Sequence, residues 1–134
     1  MVNIIVCEPE NFILEQIEKT LYKVALAVKI KINVKTVANS IDCISTLNKD
    51  YIQGKHYHLL FIDDKPLNMD ENFCIKFIKT LMLTKKLNIF PIYATSGYSD
   101  LKYQKELKEY GCDGFVNKPI SEGSFEIILK SIKL

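Results

Sequence analysis

Arginine is absent from this chain: all 18 basic residues are lysines. That argues against recognition of phosphates through bidentate guanidinium forks. Strong charge of either sign is also missing. The formal net charge is +2, too weak a field to mark nucleic acid or an anionic membrane as the partner. No window approaches the ~18 consecutive apolar residues of a membrane span. The opening run, MVNIIVCEPE, meets acids too soon to serve as a signal peptide. The four cysteines, Cys7, Cys43, Cys74 and Cys112, show neither C-x-x-C nor metal-ligand spacing, so they read as buried thiols of a reducing compartment. Linkers, internal repeats and low-complexity segments are missing as well. What these absences leave is a soluble cytoplasmic domain with no membrane insertion and no direct nucleic-acid role.

What is present is a regular alternation. With 134 residues, 48% hydrophobic and 25% charged, residues 1–134 make one domain with a real core. Val2 to Cys7 reads as a strand. Glu8-Pro9-Glu10-Asn11 then starts a helix with acids in its first turn, and Ile13, Ile17, Leu21 and Val24 form the buried stripe. A second strand lies within Lys31 to Ala38, where apolar and polar residues alternate as they do near a sheet edge. Asn39-Ser40 caps a helix carrying Ile41, Ile44 and Leu47. His58 to Ile62 is the central strand, and Lys65-Pro66-Leu67-Asn68 reads as a loop. A helix from about Asp70 presents Phe73, Phe77, Ile78 and Leu81 on one face. Ile89 to Thr95 is the fourth strand, Ser96-Gly97-Tyr98 a turn, and Asp100 to Tyr110 a more polar helix with Leu101 and Leu107, stopped by Gly111. Phe115-Val116 is a short strand, and Ser121 opens a last helix through Phe125, Ile128, Leu129 and Ile132. Strand then helix, five times over, predicts an α/β fold: a doubly wound, five-stranded parallel sheet with helices on both faces.

The chemistry gathers at the strand ends. Leu59-Leu60-Phe61-Ile62 is apolar on both parities, as a strand buried on both faces requires, and it delivers Asp63 and Asp64 at its tip. Open parallel sheets bind ligands outside the carboxyl ends of their strands. A carboxylate there either caps the next turn or works. Glu8 after the first strand, Ser96 after the fourth and Lys118 after the fifth face the same choice between helix start, turn or surface charge and a shared pocket. Taken together they describe two carboxylates, a hydroxyl and an ammonium. Paired carboxylates suit Mg²⁺, and a metal-neutralised Asp is a competent nucleophile toward a phosphoryl group. Lys and hydroxyl would then hold the transferred oxygens. His56 and His58, at i and i+2, share a strand face but have no third ligand in reach.

Those residues resemble the receiver domain of two-component response regulators and hybrid histidine kinases over nearly the whole chain. Leu59 to Asp63 followed by Met69-Asp70 looks like the family's phosphoacceptor strand and Met-Asp turn, and the spacing selects Asp63 over Asp64. Pro91 to Gly97 looks like the strand ending in the switch hydroxyl. Gly111-Cys112-Asp113-Gly114-Phe115-Val116-Asn117-Lys118-Pro119 is similar to the segment with the switch aromatic and the Lys-Pro pair, where a cis peptide is usual. The resemblance implies a (βα)5, flavodoxin-like phosphorelay module. In it Asp63 would accept a phosphoryl group from a histidine kinase or a histidine phosphotransfer protein, in contact with Lys118 and Ser96. Mg²⁺ would sit at Glu8, Asp63 and the backbone carbonyl of Lys65. Ser96 and Phe115 would switch a downstream partner face formed by the fourth helix, fifth strand and fifth helix, where Tyr98, Tyr103 and Tyr110 cluster. Its only enzyme-like chemistry would be self-phosphorylation and autodephosphorylation.

The departures are informative. The family's first strand usually ends in two adjacent acids; here Pro9 follows Glu8, which weakens the metal site. Pro66 comes one place early, Lys65 brings charge to the site, and Glu71 stands where relatives often have Gly. Asp64, on the opposite strand parity from Asp63, reads as a bystander. A degenerate pseudo-receiver, acting as a phosphorylation-independent interaction module, is therefore the second reading. A flavodoxin-like flavin binder fails for want of a Ser/Thr/Gly-rich phosphate cradle after the first strand. An Asp-dependent phosphatase fails because Lys65 occupies the place of its second acid. Between a stand-alone receiver and one excised from a hybrid kinase, the initiating Met leans toward the former.

Overall fold

The computed structural model describes residues 1–63, 69–97 and 101–132, with the side chains of 71, 72, 102 and 103 and those of Met69 and Asp70 left out. Five strands, β1 (Val2–Cys7), β2 (Ile32–Val37), β3 (Leu59–Asp63), β4 (Ile92–Ser96) and β5 (Gly114–Asn117), alternate with five helices. These are α1 (Asn11–Ala27), α2 (Ser40–Ile52), α3 (Met69–Leu83), α4 (Leu101–Tyr110) and α5 (Glu122–Ser131). The strands form one parallel sheet in the order β2-β1-β3-β4-β5. The chain leaves β1 toward one edge and returns to place β3 on β1's other side, so the winding reverses between β1 and β3. Such a reversal opens a crevice at the carboxyl ends of the two strands.

Strand parity sorts the core into two layers. Val2, Ile4, Val6, Leu59, Phe61 and Val116 pack under Ile17, Leu21 and Val24 of α1 and Phe125, Ile128 and Leu129 of α5. The other parity, Ile5, Cys7, Leu60, Ile62 and Ile92, packs under α2 and α3. Ala94 continues it beneath Leu107 of α4, with Cys112 and Phe115 alongside. All five residues of β3 are buried, as its apolar run predicts, and β2 lies at the edge its alternation indicates.

Several local expectations change. No acid lies in the first turn of α1, because the helix starts at Asn11 with Glu10 as its N-cap and Glu8 lies before it. Strand β4 begins at Ile92 rather than Ile89, whose side chain is exposed, while Phe90 is buried without joining the ladder. On α3 the predicted face is only half right. Ile78 and Leu81 pack inward, but Phe73 and Phe77 are exposed and stack on one another at 6.3 Å between centroids, while Cys74, Ile75 and Met82 are buried instead. That helix is apolar on most of its circumference, so periodicity does not single out one stripe. Ile41 of α2 and Leu101 of α4 are likewise exposed, with Cys43 and Leu107 taking the buried positions. Asn39 caps α2 by accepting from the Asp42 N–H at 2.8 Å, and Ser121 caps α5. All four cysteines are buried thiols, and none forms a disulfide.

Candidate functional site

Glu8, Asp63 and Lys118 share one strand parity. They follow Val6, Phe61 and Val116 in phase, two residues on, at the carboxyl ends of β1, β3 and β5. The sheet therefore aims all three at one point in the crevice between β1 and β3. Lys118 Nζ donates to Glu8 Oε1 at 2.8 Å and also to Asp63 Oδ1. Both carboxylates are buried, Glu8 at 1% and Asp63 at 3% exposure, while the lysine side chain is 22% exposed. Glu8 Oε2 accepts from the Glu10 N–H at 3.1 Å. Asp63 Oδ2 is buried and has no hydrogen-bond partner among the described residues.

The electrostatics follow from one cation set against two anions. Burial pushes the Glu8 carboxyl above its ordinary value, outweighing the hydrogen bonds from Lys118 and Glu10. Burial also acts to depress Lys118, but its hydrogen bonds to Asp63 and Glu8 prevail and its pKa stands above the ordinary lysine value. Both shifts favour the protonated form, as a cluster with net charge −1 in a low-dielectric crevice should. A surplus negative charge shared by two neighbouring carboxylates is what a hard divalent cation would satisfy. The donor set thus fits Mg²⁺ through Glu8 and Asp63, with two carboxylates in place of three. Lys65, whose carbonyl belongs to the same expectation, lies outside the described residues, as do Asp64, Pro66, the side chains of Met69 and Asp70, and Tyr98; the side chain of Tyr103 is likewise undescribed.

Ser96 ends β4 buried at 3% exposure, in phase with Ala94 and opposite Asn117 in the β4–β5 ladder. Its carbonyl accepts from the Lys118 N–H at 2.8 Å, so the backbone beside the hydroxyl holds the lysine in place. The Lys118-Pro119 peptide is cis. Phe115 is half-buried against Ala94, Leu107 and Cys112, and it borders a depression of about 340 Å³ beneath α4 with exposed Leu101 at its mouth. The histidines are engaged elsewhere. His58 Nδ1 accepts from the Asn3 N–H at 2.9 Å, with its pKa lowered mainly by burial, and His56 stacks on Tyr51 at 5.2 Å.

Sequence reasoning missed the support around this cluster. Asp113 Oδ2 accepts from Lys79 Nζ at 2.8 Å and from the Ile92 N–H at 2.7 Å, while its own N–H donates to the Ile92 carbonyl at 2.8 Å. It clips the start of β4 to α3 and to the segment entering β5. The two glycines around it are required. Gly111 has φ +111°, and a Cβ on Gly114 would stand 2.6 Å from the Tyr93 ring. Spacing hints at this only through the G-x-x-G pattern.

No protein-family model matches the sequence, and no curated protein matches it either. Solved structures do. The chain is similar to chemotaxis protein CheY4 of Vibrio cholerae, with 16% identity, 99% of each chain covered and a TM-score of 0.74. It is similar to a CheY-like response regulator receiver domain protein of Methanospirillum hungatei JF-1, at 15% identity over 97% of this chain and 91% of that one, TM-score 0.73. It is also similar to a candidate pilus assembly protein of Burkholderia thailandensis E264, at 16% identity over 97% and 96%, TM-score 0.71. The fold is the flavodoxin-like fold of response regulator receiver domains. Among the described residues no helix is long and apolar enough to cross a membrane.

Proposed function

We propose that this chain is a phosphorelay receiver in which Asp63 accepts a phosphoryl group from a phosphohistidine on a kinase or phosphotransfer protein. The observation that carries the reading is the asymmetry of the Asp63 carboxylate: Oδ1 is held by Lys118, while Oδ2 has no hydrogen-bond partner among the described residues. A carboxylate oriented through one oxygen presents the other as a positioned nucleophile. Oδ2 attacks phosphorus, the P–N bond breaks, and the imidazole leaves with the electron pair and takes up a proton from solvent. Lys118 stays within reach of the new acyl phosphate and offsets its charge. Mg²⁺, held by Glu8, Asp63 and the Lys65 carbonyl, would supply charge neutralisation at the phosphoryl oxygens. Ser96 and Phe115 would relay the state of the site to the depression under α4, where exposed Leu101 offers an apolar contact to a downstream partner.

A second reading is favoured by Pro9 and by the double ion pair. Lys118 already engages both buried acids, so the cluster is largely self-sufficient without metal or phosphate. A degenerate receiver would use the same partner face without phosphorylation. Incubation with acetyl phosphate and Mg²⁺, read by intact mass, separates the two. The receiver reading expects one added phosphoryl group, lost in Asp63→Asn and gained faster in Pro9→Asp. No Asp63-dependent label at saturating Mg²⁺ would sink it in favour of the interaction module.

A further inference from the structure

We infer that the groove between the carboxyl-terminal halves of α3 and α4 docks an acidic amphipathic segment of a partner protein. The groove is an open concavity of about 710 Å³ and lies toward the amino-terminal edge of the sheet, because α3 and α4 run away from the carboxyl edge that carries Asp63. It adjoins the depression between α4 and β5 that the receiver reading assigns to signalling, with Lys108 and Asp113 lining both, but its apolar residues Met82, Leu83, Ile89 and Tyr110 belong to the groove alone of the two. Its apolar lining is made by Met82, Leu83, Ile89 and Tyr110, with Met82 buried at its base and Leu83 and Ile89 standing at its sides. Leu83 and Ile89 are 83% and 84% exposed. Two aliphatic side chains raised this far from the surface, beside a buried methionine, suit insertion between the apolar side chains of a docked helix.

The charge around this lining decides the occupant. Four lysines, Lys76, Lys79, Lys85 and Lys108, line the groove against two carboxylates, Glu109 and Asp113. Asp113 is already paired with Lys79 at 2.8 Å. Lys76, Lys85 and Lys108 make no ion pair among the described residues, which leaves three ammonium groups against Glu109. Glu106 does not line the groove but shares a smaller adjoining depression with Lys76, Glu109 and Tyr110. A helix with apolar residues at i, i+3, i+4 and i+7 and Asp or Glu on its flanks would cover the apolar lining and meet the lysines at the rim.

The test titrates the ¹⁵N-labelled full chain with a synthetic amphipathic peptide about four turns long. Leucines occupy its apolar face and glutamates its flanks, and a matched peptide carries lysine in place of every glutamate. The acidic peptide should shift amide signals of α3, α4 and the segment around Ile89, and the lysine peptide should not. Lys76→Glu combined with Lys108→Glu should weaken binding roughly ten-fold, and Leu83→Ser with Ile89→Ser by a similar factor. All four positions are exposed, so the variants retain the fold. The inference is overturned by no binding at millimolar peptide, by equal binding of the lysine peptide, or by shifts outside the groove. It is equally overturned if phosphatidylglycerol vesicles, or a second copy of the chain, engage these residues and the acidic peptide does not.

Discussion

Replacing Lys118 with methionine isolates what the ammonium does. In the native chain it is the cation that two buried carboxylates share, at 1% and 3% exposure. Methionine keeps most of the stem's apolar volume and removes the charge, leaving Glu8 and Asp63 as like charges with no ion-pair partner among the described residues. Breaking a buried pair in this way costs about 3–5 kcal/mol. The low end applies, because the lysine side chain is 22% exposed and a proton on one carboxyl relieves part of the repulsion. A loss of about 3 kcal/mol near pH 7.5 follows, equivalent to a fall in Tm of about 10 °C for a chain of this size. The pH dependence is the sharper signature. Lys118 has its pKa raised above 10.5 in the fold, so its contribution is fully present below that value and lost only in strong alkali; between pH 5 and 8 it is constant. Glu8 has its pKa raised above 4.5, so the fold loses stability as pH rises from 4.5 through the folded value. Removing Lys118 removes the contacts that hold Glu8 down and moves this loss to higher pH. The deficit of the variant should therefore shrink to about 1 kcal/mol near pH 5 as Glu8 takes up a proton. Urea unfolding in EDTA at several pH values measures it, and Asp63→Asn in the same background should recover much of the loss. A deficit below about 1 kcal/mol at pH 7.5, or one that does not change with pH, refutes the shared-cation account.

Three further outcomes follow from packing seen elsewhere in the fold. Tyr57 is buried and donates to Asp50 Oδ2 at 2.6 Å, with burial and that bond pushing its pKa far above the ordinary value. Absorbance at 295 nm during alkaline titration should show one tyrosine that ionises only on unfolding, and this late component should vanish in Tyr57→Phe, at a cost of about 1 kcal/mol. Asp113→Ala strands the Ile92 N–H at the buried start of β4 and should cost about 2 kcal/mol, with faster hydrogen exchange in β4 and β5. Gly114→Ala drives a methyl group to 2.6 Å from the Tyr93 ring and should cost about 2 kcal/mol by thermal melt, with partial recovery when Tyr93→Ser makes room.

How much of this was legible in the chain depends on the range of the interaction involved. The strand–helix rhythm, the burial of β3 on both faces and the edge position of β2 are written in local apolar patterns, because alternation and continuous runs answer directly to which faces water reaches. The caps at Asn39 and Ser121 are local as well. The residues of the site were readable as strand-end polar groups bound for one pocket, yet the pairing of one lysine with both acids was not. It needed the sheet order and register, which bring Glu8, Asp63 and Lys118 together from positions 55 and 110 residues apart along the chain. Tertiary packing alone chose the buried face of α3, where apolar residues surround the helix, and so left Phe73 and Phe77 in solvent. Neither Lys29 nor Lys85, each at φ 61° beyond a helix end, was foreseeable from residue type, since the left-handed turn usually calls for Gly or Asn. Sequence by itself determined the layers and the reactive groups, through short-range patterning of apolar and polar side chains. Only the folded sheet decided that one lysine answers two buried acids, because that balance of charge exists nowhere along the chain until the crevice excludes water.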